Sequence, residues 1–183
     1  MPFGTILDPI NASATGGQIV GYTRCGDSAL WTGAYLVAES VRYRVTRSAD
    51  ALRLFSLNGT GAGVAAASAV LTQAANPALQ SPVPVYQCSA AGCAAAPIRL
   101  GIDTPIYLTL YGTGIRNRSS LANVAVTING TSVPVLYAGP TPGFAGLDQV
   151  NVALVLSLRG SGESTVVLTV DGQTSNPVTV TIQ

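Results

Sequence analysis

The stretch Val124-Ala125-Val126-Thr127-Ile128-Asn129-Gly130-Thr131-Ser132-Val133 decides the fold class of this chain. Apolar residues alternate with smaller or polar ones up to Ile128, a pattern typical of a strand with one buried face. Asn129-Gly130 comes next, and both residue types tolerate the positive φ angles of a two-residue type I′ turn. The stretch therefore predicts an antiparallel β-hairpin between residues 124–128 and 132–136.

Similar signals recur through the last two thirds of the chain. Asp171-Gly172 predicts a second hairpin turn, and Val178-Thr179-Val180-Thr181-Ile182 alternates again. From Gly59 onward, apolar and β-branched runs are separated by Gly, Pro and Asn, and no helical periodicity is evident. Nine strands are predicted, at 64–71, 83–88, 95–100, 106–111, 124–129, 131–137, 148–156, 164–171 and 176–182. This pattern predicts a mainly β fold, an antiparallel immunoglobulin-like β-sandwich of seven to nine strands over residues 54–183.

Residues 27–47 have a different period and predict a short α-helix. Asp27 or Ser28 can cap its N-terminus, and apolar residues then recur at steps of three and four: Leu30, Ala34, Val37, Ala38, Val41 and Val45. A helix of this length is marginal alone in water, so we expect the stripe to pack against the chain's own sandwich or a neighbouring subunit. Residues 1–53 are thus predicted to be coil plus helix, which we interpret as a fragment of a larger domain.

Composition excludes several functional classes. Only 9% of the 183 residues are charged, the net charge is +1, and all nine basic residues are Arg. A nucleic-acid-binding protein should carry a basic patch, and none is visible. The chain has no His, which removes the commonest general base and the commonest zinc ligand. No apolar run reaches the roughly 18 residues of a membrane span, so we expect no membrane insertion.

Two cysteines are separated by four residues in Cys88-Ser89-Ala90-Ala91-Gly92-Cys93. The spacing predicts a disulfide bond that closes a hairpin or loop, and such a bond requires an oxidising compartment. Two free thiols in a loop of small residues are the alternative. A zinc site needs four ligands, and only one further cysteine, Cys25, is present; we expect it to be a small buried side chain.

No catalytic residue, cofactor or metal is predicted. Glycoside hydrolysis needs two carboxylates about 5–10 Å apart, whereas Asp27 and Glu39 lie about 18 Å apart along one helix at 1.5 Å per residue. No Ser lies in a Gly-x-Ser-x-Gly elbow, and neither a helix nor a Lys follows Gly112-Thr113-Gly114. Single acids in the strand region could offer oxygens to calcium, but they form no Asp-rich run: Asp103, Asp148 and Asp171.

Four residues are candidates for contact with a ligand. Tyr107 and Tyr111 have the same parity along one predicted strand and should face the same side. If they face outward they could stack on a sugar, and if they face inward they belong to the core, which is what we expect. Asp148-Gln149 is a polar pair after a loop, either a ligand contact or a turn that anchors its own backbone.

Five ordered blocks resemble an uncharacterised C-terminal domain that ends large secreted proteins of acidobacteria. The blocks span about residues 54–183 and are Leu54-Phe55-Ser56-Leu57-Asn58-Gly59-Thr60-Gly61 leading into Gly63-Val64-Ala65-Ala66-Ala67, Ile106-Tyr107-Leu108-Thr109-Leu110-Tyr111-Gly112-Thr113-Gly114-Ile115-Arg116, Val135-Leu136-Tyr137-Ala138-Gly139-Pro140, Phe144-Ala145-Gly146-Leu147-Asp148-Gln149-Val150-Asn151-Val152 and Thr169-Val170-Asp171-Gly172-Gln173-Thr174-Ser175-Asn176. The resemblance implies an immunoglobulin-like sandwich at the end of an exported protein, with no assigned catalytic residue. Residues 26–40 are similar to the opening helix of helical toroid proteins, some of which act on sugars, but one or two helices cannot close a toroid.

These observations predict a non-enzymatic extracellular module with a structural, display or adhesion role at the cell surface. Its expected partners are other protein domains or copies of itself, and glycans are a further candidate. Two alternatives remain open: a subunit of a self-assembling extracellular fibre joined by β-strand addition, and a carbohydrate-binding module. The N-terminus has neither a basic nor an apolar region of a signal peptide, so we expect the chain to be part of a longer precursor.

Overall fold

The computed structural model describes residues 9–11, 19–22, 42, 45–46, 51–89 and 92–183. Within them the chain is mainly β, with antiparallel pairing between neighbouring strands, which confirms the predicted fold class at that level. The strands are β1 (Pro9–Asn11), β2 (Ile19–Tyr22), β3 (Arg53–Leu54), β4 (Ala67–Gln73), β5 (Asn76–Val83), β6 (Tyr86–Ser89), β7 (Gly92–Ala95), β8 (Ile106–Thr113), β9 (Val124–Ile128), β10 (Thr131–Val133), β11 (Val135–Pro140), β12 (Asp148–Ala153), β13 (Gly162–Val170), β14 (Gln173–Thr174) and β15 (Val178–Ile182).

Two sheets carry most of these strands. The larger sheet has the order β11-β12-β8-β4-β5, with β3 also paired to β8. The smaller sheet has the order β10-β9-β13-β14, and β15 pairs with β13 beside β14. Strands β1 and β2 form a separate antiparallel pair, and so do β6 and β7.

Both predicted two-residue turns are confirmed. Asn129 and Gly130 have φ angles of 48° and 76°, and they connect β9 to β10 in register. Asp171 and Gly172 have φ angles of 50° and 81° and connect β13 to β14. Positive φ at both central positions is the geometry that matches the twist of a hairpin, so residue type alone located both turns.

One predicted strand is divided between the two sheets. Residues 131–137 were expected to be continuous, but Pro134 separates β10, which pairs with β9, from β11, which pairs with β12. Proline has no N–H to donate to a ladder, which makes it a natural break. The chain passes from one sheet to the other a second time just before β4. The Ala65 N–H donates to the Thr179 carbonyl of the smaller sheet, whereas Ala67 pairs with Leu110 of the larger sheet.

The two sheets contribute to one hydrophobic core. Alternate residues of β8, β12, β9, β13 and β15 are buried, as their strand patterns show. Ala51 and Leu52 belong to the same cluster and are fully buried, so the core already includes residues just before β3. Burying each large apolar side chain stabilises the fold by about 1.5–3 kcal/mol, and this cluster is the main source of stability.

The segment from β5 to β7 lies outside that core. No strand was predicted at 76–80, yet β5 forms the edge of the larger sheet with nearly every residue exposed. Residues 83–88 and 95–100 were predicted as strands, but only parts of them pair, as β6, β7 and an isolated bridge at Ile98. The strand count over 54–183 therefore exceeds the predicted seven to nine, mostly through short pieces.

The predicted helix at 27–47 lies almost entirely outside the described residues. Helical conformation is described at Arg42, Val45 and Thr46, where the Thr46 hydroxyl donates to the Arg42 carbonyl at 2.7 Å. Val45 was placed on the buried stripe, but it is 77% exposed, so that expectation is wrong at this end of the helix. Within the described residues, no helix is long and apolar enough to cross a membrane.

Candidate functional site

Strand β8 places two of the predicted site residues on the outer face of the larger sheet. Its inward residues, Ile106, Leu108 and Leu110, are at most 2% exposed, whereas Tyr107 and Tyr111 alternate with them and are half-buried. Successive side chains of a strand point to opposite faces. The two tyrosines therefore share a face, as their parity predicted, but the expected core position was wrong.

Neighbouring strands add polar side chains to this face. Gln149 pairs with Tyr111 across β12 and β8, and Asn151 pairs in the same way with Tyr137 of β11. Directly opposed residues point to the same side of a sheet. We call the outer surface formed by Tyr107, Tyr111, Tyr137, Gln149 and Asn151 the tyrosine face; Asn151 and Tyr137 were not singled out from the sequence.

Two side-chain hydrogen bonds join members of the tyrosine face to each other or to a neighbour. The Gln149 amide donates to Asn151 Oδ1 at 3.0 Å. The Tyr111 hydroxyl lies 3.2 Å from the Ser68 hydroxyl on β4. Both amides and both hydroxyls keep further hydrogen-bonding capacity, so the face offers donors and acceptors beside aromatic rings.

One edge of the tyrosine face is formed around Gly139. A Cβ atom on this glycine would lie 3.0 Å from the Tyr137 hydroxyl and 3.2 Å from a guanidinium nitrogen of Arg118. The tyrosine and the arginine therefore cover the glycine on the same side of the sheet as Gln149, its partner in β12. The Arg118 Nε atom is buried and has no hydrogen-bond partner among the described residues. A cationic group thus adjoins the aromatic and amide groups.

Asp148 does not belong to the tyrosine face, although it precedes Gln149 in the chain. It is 0% exposed and faces the core side of β12, where its Oδ2 accepts backbone N–H bonds from Ile115 at 2.8 Å and Arg116 at 3.0 Å. Its Oδ1 pairs with Arg116 Nε, and the Arg116 guanidinium also donates to the Leu147 carbonyl. Asp148 therefore ties two loops together. Of the two alternatives left open for it, a ligand contact and a backbone anchor, its burial and its hydrogen bonds favour the backbone anchor.

Burial raises the pKa of the Asp148 carboxyl above its ordinary value, because the charged form loses its hydration. The hydrogen bonds and positive charge of Arg116 and the Ile115 N–H act in the opposite direction. The carboxylate thus has three fixed donors but little contact with water. This is the environment of a structural tie between loops.

The two paired cysteines lie at disulfide distance, as predicted. The Sγ atoms of Cys88 and Cys93 are 1.98 Å apart, and the residues are directly opposed in the β6–β7 hairpin. Both cysteines are exposed, as are most residues of these strands. Cys25 lies outside the described residues.

Asn176 is a structurally important residue that sequence reasoning missed. Its Oδ1 accepts from the Leu54 N–H at 2.9 Å, and its Nδ2 donates to the carbonyls of Leu54 and Gly61 at 2.9 and 2.6 Å. The side-chain amide therefore bonds to the backbone of β3 as a neighbouring strand would, although Asn176 and Leu54 are 122 residues apart in the chain. The signal available in the sequence was an Asn-Pro step between two strands, which marks a turn but not its distant partner.

The acids considered for calcium are not brought together. Asp148 is engaged in its ion pair with Arg116, and Asp171 accepts hydrogen bonds from the N–H and the hydroxyl of Ser119 in the loop between β8 and β9. Asp171 and Ser119 line an open cleft with Asn123, but this cleft offers a single carboxylate. Over residues 51–89 and 92–183, no group of three metal-ligating side chains occurs.

Comparisons of this chain with protein-family models, with curated proteins and with solved structures give no match. The resemblance to the C-terminal domain of acidobacterial secreted proteins therefore stays a prediction from the sequence blocks.

Proposed function

We propose that this chain is a non-catalytic, immunoglobulin-like module with a structural, display or adhesion role at the cell surface. The observation that carries the proposal is the distribution of strands between the sheets. In chain order β8, β9, β12 and β13 alternate between sheets, yet β8 adjoins β12 and β9 adjoins β13. Greek-key connections of this kind are typical of immunoglobulin-like sandwiches, and this likeness supports the proposal.

The paired cysteines support a location outside the cytoplasm. Disulfide bonds persist in oxidising compartments and are rare where thiols are kept reduced. The hairpin that holds Cys88 and Cys93 is exposed, so the pair would be accessible to cellular reductants. An exported module fits both facts.

The polar groups support a non-catalytic role. The buried charge of Asp148 is matched by Arg116 and by two backbone donors. Perturbed carboxylates mark active sites when they line a cleft, but this one faces the core and is fully buried. Its environment stabilises loops, which suits a module that presents a surface.

A fibre joined by β-strand addition is the second candidate, and β5 is the strand that favours it. This strand forms an edge of the larger sheet and is exposed along its length. Exposed edges accept strands from other chains. Pro77 and Pro82 lie in β5 and cannot donate N–H bonds to an added strand, so we place this candidate behind the first.

Surface labelling in the source cells tests the proposal. Intact cells are treated with a protease that cannot enter them, after free thiols have been blocked with a maleimide reagent. We expect loss of the protein from the cell-associated fraction and no maleimide on Cys88 or Cys93. A cytoplasmic marker protein serves as the control for cell integrity. Protein that is protected from the protease and carries maleimide on both residues would refute the surface location.

A further inference from the structure

We propose that the tyrosine face binds a polysaccharide that carries carboxylate groups. This inference rests on the proposed adhesion role and names its ligand class. Tyr137 lies on β11, and Tyr107 and Tyr111 lie on β8. The amides of Gln149 and Asn151 lie on β12, the strand between them. Neighbouring strands are about 4.8 Å apart and a strand rises about 3.4 Å per residue. Tyr137 and Tyr111 are two strands and two residues apart in the register, which is about 12 Å. That span accommodates more than one sugar ring of an extended chain.

The side chains match the two surfaces of a sugar. The flat ring of a tyrosine offers apolar contact area together with a hydroxyl group, and a pyranose likewise has an apolar ring face edged by hydroxyls. Gln149 and Asn151 present amide groups to those hydroxyls, and their mutual bond at 3.0 Å holds both at fixed positions.

Charge decides between a neutral and an acidic polysaccharide. Arg118 adjoins Tyr137 at Gly139. Among the described residues the ion pair found joins Arg116 to Asp148, and none involves Arg118. The strand positions of the tyrosine face carry no acid, because Asp148 points to the core. A guanidinium group binds carboxylates by charge-assisted hydrogen bonds. The combination favours a polymer of uronic acids over a neutral glucan.

The test measures binding of the full chain by affinity electrophoresis and by calorimetry. The probes are polygalacturonate, alginate and hyaluronate, together with the galactan obtained by carboxyl reduction of polygalacturonate. We expect binding to at least one acidic polymer, weaker binding to the reduced galactan, and loss of affinity as NaCl rises. Replacement Tyr111→Ala should lower the affinity about tenfold or more, as expected for one stacked ring.

Two further variants separate the contributions of the face. Arg118→Gln should remove the preference for the acidic polymer while leaving the weaker binding to the reduced galactan. Gln149→Ala should weaken binding to the acidic polymer and to the reduced galactan alike. It keeps all three tyrosine rings, so it replaces Tyr111→Ala as the test if that variant proves unstable. Tyr86→Ala, on the exposed β6–β7 hairpin, is the matched control and should bind like the wild type.

Three outcomes would overturn the inference. They are failure of the folded wild type to bind any of the three acidic polymers, equal binding of the acidic and the reduced polymer, and wild-type affinity in both Tyr111→Ala and Gln149→Ala. None of these outcomes bears on surface exposure or thiol oxidation in cells. The proposed function can therefore survive the failure of its glycan ligand.

Discussion

Replacing Asp148 tests whether the buried carboxylate acts as a set of hydrogen-bond acceptors or as a charge. Asp148→Ala removes the acceptor of two backbone N–H groups and the partner of Arg116. Asp148→Asn keeps one side-chain oxygen, which can still accept from the N–H groups of Ile115 and Arg116. The amide nitrogen that replaces the other oxygen cannot accept from Arg116 Nε.

The structure gives different magnitudes for the two variants. An orphaned buried N–H group costs about 1–3 kcal/mol, so Asp148→Ala should lower the free energy of unfolding by about 3–5 kcal/mol, similar to other broken buried pairs. Asp148→Asn should cost about 1–2 kcal/mol, because it loses one charge-assisted bond. Arg116 retains 23% exposure of its side chain and can recover part of its hydration.

Denaturant unfolding followed by far-ultraviolet circular dichroism measures both values. The melting temperature should shift by about 2–4 °C for each kcal/mol in a chain of this size. Glu163→Gln is the matched control, because Glu163 is an exposed acid on β13, and it should change stability by less than about 0.5 kcal/mol. Equal losses in the Ala and Asn variants would refute the view that backbone acceptance is the main role of Asp148.

The raised pKa of Asp148 predicts that the difference in stability between the wild type and Asp148→Asn depends on pH. A folded-state pKa above that of the unfolded chain means that the folded state binds the proton more tightly. This carboxyl then adds stability below its ordinary pKa, and that contribution is lost as pH rises through the raised value. The stability difference between wild type and Asp148→Asn should therefore widen on acidification. A difference that narrows instead would show that Arg116 outweighs desolvation.

Three further predictions concern the rest of the fold. Gly114 and Gly172 have φ angles of 82° and 81°, but of the two only Gly114 would bring a Cβ against a backbone oxygen, at 2.5 Å. Calorimetry should therefore show that Gly172→Ala lowers the free energy of unfolding by about 1 kcal/mol and that Gly114→Ala lowers it clearly more. Equal losses would contradict the contact at Gly114. Asn176→Ala should cost about 2–3 kcal/mol for three lost bonds in denaturant unfolding, with Asn176→Asp intermediate since it keeps the acceptor. Peptide mass spectrometry should find Cys88 and Cys93 bonded. Closing so short a loop contributes about 2 kcal/mol of stability, so replacing both cysteines with Ser should speed amide hydrogen exchange in their hairpin. Unchanged exchange would argue against a stabilising disulfide.

Local sequence signals located the turns and the alternating strands, because those features depend on neighbouring residues. The turns at Asn129-Gly130 and Asp171-Gly172 could be located because these residue types themselves tolerate positive φ, whatever packs around them. The passage of the chain from one sheet to the other at Pro134 was not predicted. Apolar and polar residues alternate in the same way in a strand whichever sheet it joins, so the pattern on the two sides of the proline does not reveal the change. The exposed strand β5 was missed for a related reason: its sequence lacks alternation because neither face is buried.

The residues of the candidate site could be predicted only in part, for two reasons that both concern the faces of a strand. Parity correctly placed Tyr107 and Tyr111 on one face, but parity cannot say which face is covered. The inward residues turned out to be aliphatic: Ile106, Leu108 and Leu110. Gln149 and Asp148, adjacent in sequence, were grouped together, although adjacent residues of a strand point to opposite sides. Applying that rule consistently would have separated them.

Two groups of polar side chains differ in what they bond to, and the difference bears on where a ligand can bind. Asp148, Asp171 and Asn176 bond to backbone groups that lie 33, 52 and 122 residues away. These bonds hold loops and strand ends together, and a ligand could compete for them only by loosening the fold. Gln149 instead bonds to a neighbouring side chain, Asn151, and both lie on a rigid strand. Such a bond can be exchanged for a ligand without moving the backbone, which makes the tyrosine face the surface best suited to recognition.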